Sequence, residues 1–273
     1  MALVAVTIIL LPLIGAAAAG MAGDRKPASI GVLVVLLTAA MALFVGIGTF
    51  PGGLSFEVGT LSWIPNLADD SLFGVLLDPL SLIMLLVVVV VGFFVVLYST
   101  EYMSPRNLDH PVEEGHSRYY FWMLLFVGAM TGVALSPNLL QLFIFWELTT
   151  ICSWALISHY HNEKSLAAGY KALIMTHLGG VAFLTAIVVI YTSTGSVAFD
   201  ALGDLPPGLS TTVFVLFLVA AWAKASQIPF QTWLPDAMSA PTPVSCYLHA
   251  AAMVKAGVYV IARLVLANAQ LPA

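Results

Sequence analysis

Five side chains of this sequence have the chemistry to carry protons, and all stand in unusual places: Glu147, Lys224, Lys255, His249 and His177. Each lies within a long apolar stretch, where ionisable residues are rare and usually line a polar path through a membrane. A carboxylate, amines and imidazoles gathered at such depth can pass a proton by exchanging partners. Burial disfavours the charged amine of a lysine, and a nearby carboxylate favours it. Moving Glu147 towards or away from Lys224 would therefore load or release a proton. Sodium fits this set less well, because a hard cation seeks several oxygen ligands and these groups are mostly nitrogenous.

The elements that must position them are membrane spans. The chain has 273 residues, 60% hydrophobic and only 8% charged, with a mean hydropathy of +0.99. Soluble domains carry about 25% charged residues, so a soluble enzyme is excluded and a polytopic membrane protein is expected. Apolar runs long enough to cross about 30 Å of hydrocarbon fall at 2–22, 29–50, 78–99, 118–135, 138–159, 166–192, 210–235 and 243–268. All are expected to be helices, since an isolated strand cannot satisfy its backbone in lipid. The expected fold class is thus all-α, with breaks at Asp24-Arg25-Lys26-Pro27, Pro51-Gly52-Gly53, Ser136-Pro137-Asn138 and Pro206-Pro207-Gly208. Residues 1–20 resemble a signal peptide but lack a basic start and precede many further spans, so they read as the first helix.

Helix rise alone places four of the candidates at similar depth. Glu147 lies roughly 14 Å into the fifth span, Lys224 about 20 Å into the seventh, Lys255 about 18 Å into the eighth and His177 about 17 Å into the sixth. A buried pair that only ties helices together is the competing reading, although apolar packing would serve that purpose as well. For His177 a purely structural hydrogen bond stands level with a role in transfer. His249 lies nearer the end of the eighth span and is assigned to proton uptake. Lys171, closer to its membrane edge, either shares that role or snorkels.

The seventh span contains its own interruption. Lys224 is followed by Ser226-Gln227-Ile228-Pro229, Trp233-Leu234-Pro235-Asp236 and Pro241-Thr242-Pro243. Proline removes a backbone donor and clashes with the preceding turn, so the helix is expected to break just after Lys224. Broken helices at membrane depth need protein or water beside them, and they mark many transporters. Lys224 is accordingly expected to face water and unpaired carbonyls.

Charge sorts the loops into two sides. One holds Arg25, Lys26, Arg106, Arg118, Lys164 and Lys171; the other holds Glu57, Asp69, Asp70, Asp200 and Asp204, with Arg263 as its cation. The positive-inside rule puts the first set in the cytoplasm, so the N-terminus and the end of this chain are both expected outside a cell membrane. A small hairpin around Thr60-Leu61-Ser62-Trp63-Ile64 is expected in the outer loop from Pro51 to Leu77. The loop from Thr100 to Ser117 carries His110, Glu113, Glu114 and His116, without repeating ligand spacing, and reads as solvated. Cys152 and Cys246 read as small buried hydrophobes, not as a disulfide or metal pair.

The segment Lys224-Ala-Ser-Gln-Ile-Pro-Phe-Gln-Thr-Trp-Leu-Pro-Asp-Ala-Met-Ser-Ala-Pro-Thr-Pro-Val-Ser245, continuing to His249 and Met253-Val-Lys-Ala-Gly-Val-Tyr259, closely resembles the signature of antiporter-like membrane subunits. That family spans respiratory complex I, Mrp-type multisubunit Na+/H+ antiporters and membrane-bound hydrogenases. Phe145-Trp146-Glu147-Leu148 with Ser153, and Asp78-Pro79-Leu80-Ser81, also resemble its motifs. The wording around Lys255 is most similar to the large A subunit of Mrp antiporters. The resemblance implies three leading helices in 1–117 and a five-helix repeat in 118–273, with a second repeat expected on another polypeptide or in a missing part. It implies a secondary-transporter subunit, not an enzyme in itself, with Glu147 and Lys224 as a switchable pair and Lys255 passing charge onward. It further implies partner membrane subunits, the lipid bilayer, protons and Na+ as the things met, with no nucleic acid. A proton-pumping arm of a redox complex is the alternative, its redox centres lying in other chains. No cofactor is expected here, for want of a cysteine cluster or a strand-borne GxGxxG.

Overall fold

The computed structural model describes residues 2–23, 26–49, 56–61, 73–107, 112 and 114–268. Among them, eight helical spans are long and apolar enough to cross a membrane. Helices α1 (Ala2–Met21), α2 (Pro27–Thr49), α3 (Pro79–Tyr102), α4 (His116–Leu135), α5 (Leu139–Ile157), α6 (Glu163–Thr194) and α7 (Pro207–Lys224) supply seven of these spans. After the four-residue α8 (Trp233–Asp236), α9 (Thr242–Ala250) and α10 (Met253–Ala267) form the eighth. The chain is an all-α polytopic membrane protein with one small two-stranded addition.

Helix starts follow local chemistry. Asp78 caps α3 by accepting from the Ser81 N–H at 2.8 Å, and the Ser81 hydroxyl accepts from the Asp78 N–H at 2.7 Å. This reciprocal box satisfies two donors that the first turn leaves free, and Pro79 has no donor to lose. Asn138 and Asn162 cap α5 and α6 in the same sense, accepting from Gln141 N–H and Ser165 N–H. Gly195 ends α6 in the left-handed region at φ 76°.

The middle of the bundle is α4, most of whose residues are buried and which packs against α1, α2, α3 and α5. Next to it, α5, α6 and α7 pack in sequence, and α10 lies on α7. At one end a hairpin joins β1 (Phe56–Leu61) and β2 (Phe73–Leu77), antiparallel, with Phe56 opposite Leu77 and Val58 opposite Val75. Gln141 of α5 grips the Gly74 backbone from both sides, accepting from its N–H at 2.8 Å and donating to its carbonyl at 3.0 Å.

Three expectations change. The hairpin is real but lies elsewhere than expected: β1 ends at Leu61, and its partner is the segment just before α3. Ser62, Trp63 and Ile64 lie outside the described residues, as do Asp24, Arg25, Pro51-Gly52-Gly53, Asp69, Asp70, His110, Glu113 and 269–273. The seventh span stops at Lys224, as its prolines predict, so residues 225–235 belong to a connector and not to a helix reaching 235. The eighth span is interrupted as well, at Ala251-Ala252, where both N–H groups reach back to the Tyr247 carbonyl, at 3.3 and 3.0 Å. Alanine is the best helix former, so no local signal marks this break. Packing accounts for it: α9 lies on α3, with Tyr247 wholly buried, whereas α10 turns onto α7. There a Cβ on Gly257 would stand 2.5 Å from the Ala221 carbonyl oxygen, so only glycine permits the approach.

Candidate functional site

Lys224 is the last residue of α7 and is completely buried. Its Nζ donates to the Trp146 carbonyl at 2.8 Å and to Thr150 Oγ1 at 2.7 Å, both on α5. The ammonium also lies 4.8 Å from the centre of the Trp146 ring, which attracts a cation over its face. The carbonyls released by the break are largely satisfied nearby, contrary to the expectation that Lys224 would face them unpaired. Trp233 Nε1 donates to the Ala223 carbonyl at 3.0 Å, and the Gln227 N–H reaches the Trp222 carbonyl at 2.9 Å. Two residues beyond Lys224, Ser226 holds φ 55°, a left-handed turn that carries the chain sharply away from the helix axis.

Glu147 stands one residue from Trp146 on α5 and turns towards α6. Its Oε2 lies 2.7 Å from His177 Nδ1. Its Oε1 is buried and has no hydrogen-bond partner among the described residues. Gly180 of α6 makes room for that oxygen: a Cβ there would stand 2.1 Å from Oε1. Among the described residues no ion pair joins Glu147 to Lys224. The structure thus brings Glu147 to His177, and brings Lys224 to the same turn of α5, with the carboxylate and the ammonium held by different partners.

The other two candidates lie apart from this pair. His249 is near the end of α9 and half-buried, with a buried Nε2 that has no partner among the described residues. Lys255 is on the first turn of α10 and exposed on the surface of this chain. Lys171 forms an ion pair with Asp236 at 2.7 Å, tying the connector back to α6. Cys152 is buried on α5, whereas Cys246 is exposed, which corrects its reading as a buried hydrophobe. Among the described residues no group of three or more His, Cys, Asp or Glu is arranged to hold a metal.

Two features escaped the sequence reading. Thr150 carries no charge and resembles any helical threonine until Lys224 is docked on it. The second is at the hairpin end, where Asp78 forms a two-pronged ion pair with Arg263 of α10, Nη2 reaching Oδ1 at 3.0 Å and Nη1 meeting Oδ2. Arg263 Nη2 also donates to Tyr259 Oη at 2.8 Å, and that hydroxyl donates to the Ala134 carbonyl of α4 at 2.7 Å. Burial pushes the Asp78 carboxyl up, but hydrogen bonds from Arg263 and Ser81 outweigh it and hold the group below its ordinary range. At the opposite end, beyond α5, burial and then the nearby Arg118, His161 and His116 push His159 down to about 4.

Comparison with known proteins agrees with this architecture. Residues 136–271 match the family described as "NADH:quinone oxidoreductase/Mrp antiporter, TM", and residues 63–120 match "NADH-Ubiquinone oxidoreductase (complex I), chain 5 N-terminus". The chain is 42% identical over 211 residues to the large A subunit of the Na(+)/H(+) antiporter of Alkalihalophilus pseudofirmus, an alignment covering 75% of this chain and 25% of that protein. It is 37% identical over 277 residues to NADH-quinone oxidoreductase subunit L of Escherichia coli, covering 96% and 44% respectively. Its structure superposes on a chain of the Mrp complex from Dietzia sp. DQ12-45-1b with a TM-score of 0.84 at 32% identity, covering 98% of this chain and 29% of that one. A chain of the archaeal membrane-bound sulfane sulfur reductase superposes with a TM-score of 0.79 at 25% identity, covering 98% and 54%. The chain therefore spans about a quarter to a half of the length of these relatives.

Proposed function

We propose that this chain, which belongs to the antiporter-like membrane subunit family, is the proton-translocating part of a multisubunit Na+/H+ or other cation/proton antiporter. The observation that carries the proposal is the arrangement on α5: a fully buried lysine at a helix break, one turn from a buried carboxylate that it does not yet pair with. A buried cation this close to a carboxylate gains strongly if the two meet, and loses that gain when they part. Proton loading at Lys224 follows their meeting, and release follows their separation. His177 holds the carboxylate in the parted state. His249 feeds protons from the cytoplasmic side, and Lys255, exposed on α10, passes charge to a neighbouring element of the assembly.

In this reading residues 1–117 form a leading unit and 118–273 a five-helix repeat, in a cell membrane. The loop charges favour both ends of the chain outside. Other membrane subunits complete the route, and sodium crosses at oxygen-rich sites away from these residues. A second reading, the proton-pumping subunit of a redox-driven complex, is favoured by the alignment with the quinone oxidoreductase subunit over 96% of this chain. Both readings assign the same residues and differ in the engine.

The decisive experiment is Lys224→Ala in the full-length protein within its complex, reconstituted into vesicles. Sodium-driven pH change is expected to vanish while assembly persists; wild-type transport would refute the carrier role. Mass spectrometry of chains copurifying in mild detergent separates the two readings, since iron–sulfur partners indicate the redox machine.

A further inference from the structure

The Lys224 ammonium has three donors to place, and two of them go to α5, at Thr150 Oγ1 and the Trp146 carbonyl. Thr150 is itself completely buried, and its hydroxyl also leans on the Trp146 carbonyl at 3.4 Å. Glu147 and Thr150 are spaced i, i+3 and so share one face of α5. The lysine therefore sits within about one helical turn, roughly 5 Å along the axis, of the unpartnered Glu147 Oε1. Its four-carbon stem is flexible enough to swing across that interval. The carbonyl is a backbone group that no substitution removes. The hydroxyl is a removable side chain, and it is the other group holding the ammonium off the carboxylate.

We infer that Thr150 is a positioning residue: its hydroxyl holds Lys224 in the parted state, so that losing this one hydrogen bond sends the ammonium to Glu147. The inference rests on the pair mechanism proposed above and adds to it the competitor that opens the pair. Without the hydroxyl, the buried ammonium keeps one fixed acceptor, and the free carboxylate oxygen becomes its best remaining partner. A hydrogen bond to a charged group biases such a balance by roughly tenfold or more. A pair that closes too readily cannot release its proton, so turnover slows although both charged residues are intact.

The test uses the full-length protein in its complex, with transport measured in vesicles and side chains located by electron cryomicroscopy. Thr150→Val is expected to slow transport about tenfold and to place Lys224 Nζ on the Glu147 carboxylate. Thr150→Ser, which restores a hydroxyl, is expected to return both rate and position. A wild-type rate in Thr150→Val overturns the inference; so does a lysine that stays on the Trp146 carbonyl, or a loss that serine does not reverse. Should the valine variant fail to assemble, Thr150→Ala removes the hydroxyl without added bulk and is read in the same way. If Lys224→Ala transports normally, the pair mechanism itself fails. A wild-type Thr150→Val beside an inactive Lys224→Ala removes only the role of Thr150.

Discussion

Two sets of opposite charge are built into this bundle, and they are built differently. At the hairpin end, Asp78 and Arg263 meet directly, and every group around them adds another tie. Asp78 also caps α3, and Arg263 is bonded to Tyr259, which is bonded in turn to α4. In the α5–α6–α7 layer, Glu147 and Lys224 lie close but hold other partners, His177 on one side and Thr150 with a carbonyl on the other. A pair fixed from several directions has one low-energy arrangement and acts as a strut between α3, α4 and α10. A pair whose members each have a second partner has two arrangements of similar energy, which is the physical requirement for a switch. The contrast lies in the number of competing partners, since both sets are largely buried.

The strut is the place to break this comparison hardest. Arg263→Ala leaves Asp78 facing an empty site, and removing one member of a buried pair costs about 3–5 kcal/mol. Thermal unfolding in detergent should register that loss directly. An Arg263→Ala protein as stable as the wild type would show that the ion pair is not structural. The switch should behave in the opposite way. Lys224→Met replaces the buried amine with an apolar side chain of similar length, so thermal stability is expected to hold or rise while transport is lost.

A smaller effect sharpens the account of Glu147. In Gly180→Ala the new Cβ would stand 2.1 Å from Oε1, which forces the carboxylate out of its place against α6. Overpacking of this kind costs about 1–3 kcal/mol, and transport is expected to fall about tenfold in vesicle assays. Retained transport would mean that the carboxylate tolerates displacement.

The smallest effect is a pH dependence at the strut. The Asp78 carboxyl is held below its ordinary value, near 3.9 in unfolded chains, so it contributes stability above that pH and loses it as pH falls through the lowered value. Asp78→Asn is therefore expected to melt lower than the wild type at pH 7, with the gap narrowing below about pH 4. Melting curves at several pH values check the sign.

Much of this was legible in the chain itself. The spans, the end of α7 at Lys224 and the identities of Glu147, Lys224 and His177 follow from apolar run length, proline placement and the rarity of charge in lipid. These are local properties, set by the chemistry of a residue and its near neighbours. Other features were not legible. The break at Ala251-Ala252 opposes local propensity and arises because α9 and α10 pack on different helices. The Asp78–Arg263 strut joins residues 185 positions apart. Thr150 acquires meaning only when α7 sets Lys224 against it. The sequence by itself determined which groups enter the membrane and where helices must stop, because desolvation and proline sterics act residue by residue. Tertiary structure alone decided which partner each buried charge takes, because that choice is a competition among groups that only the packed helices bring together.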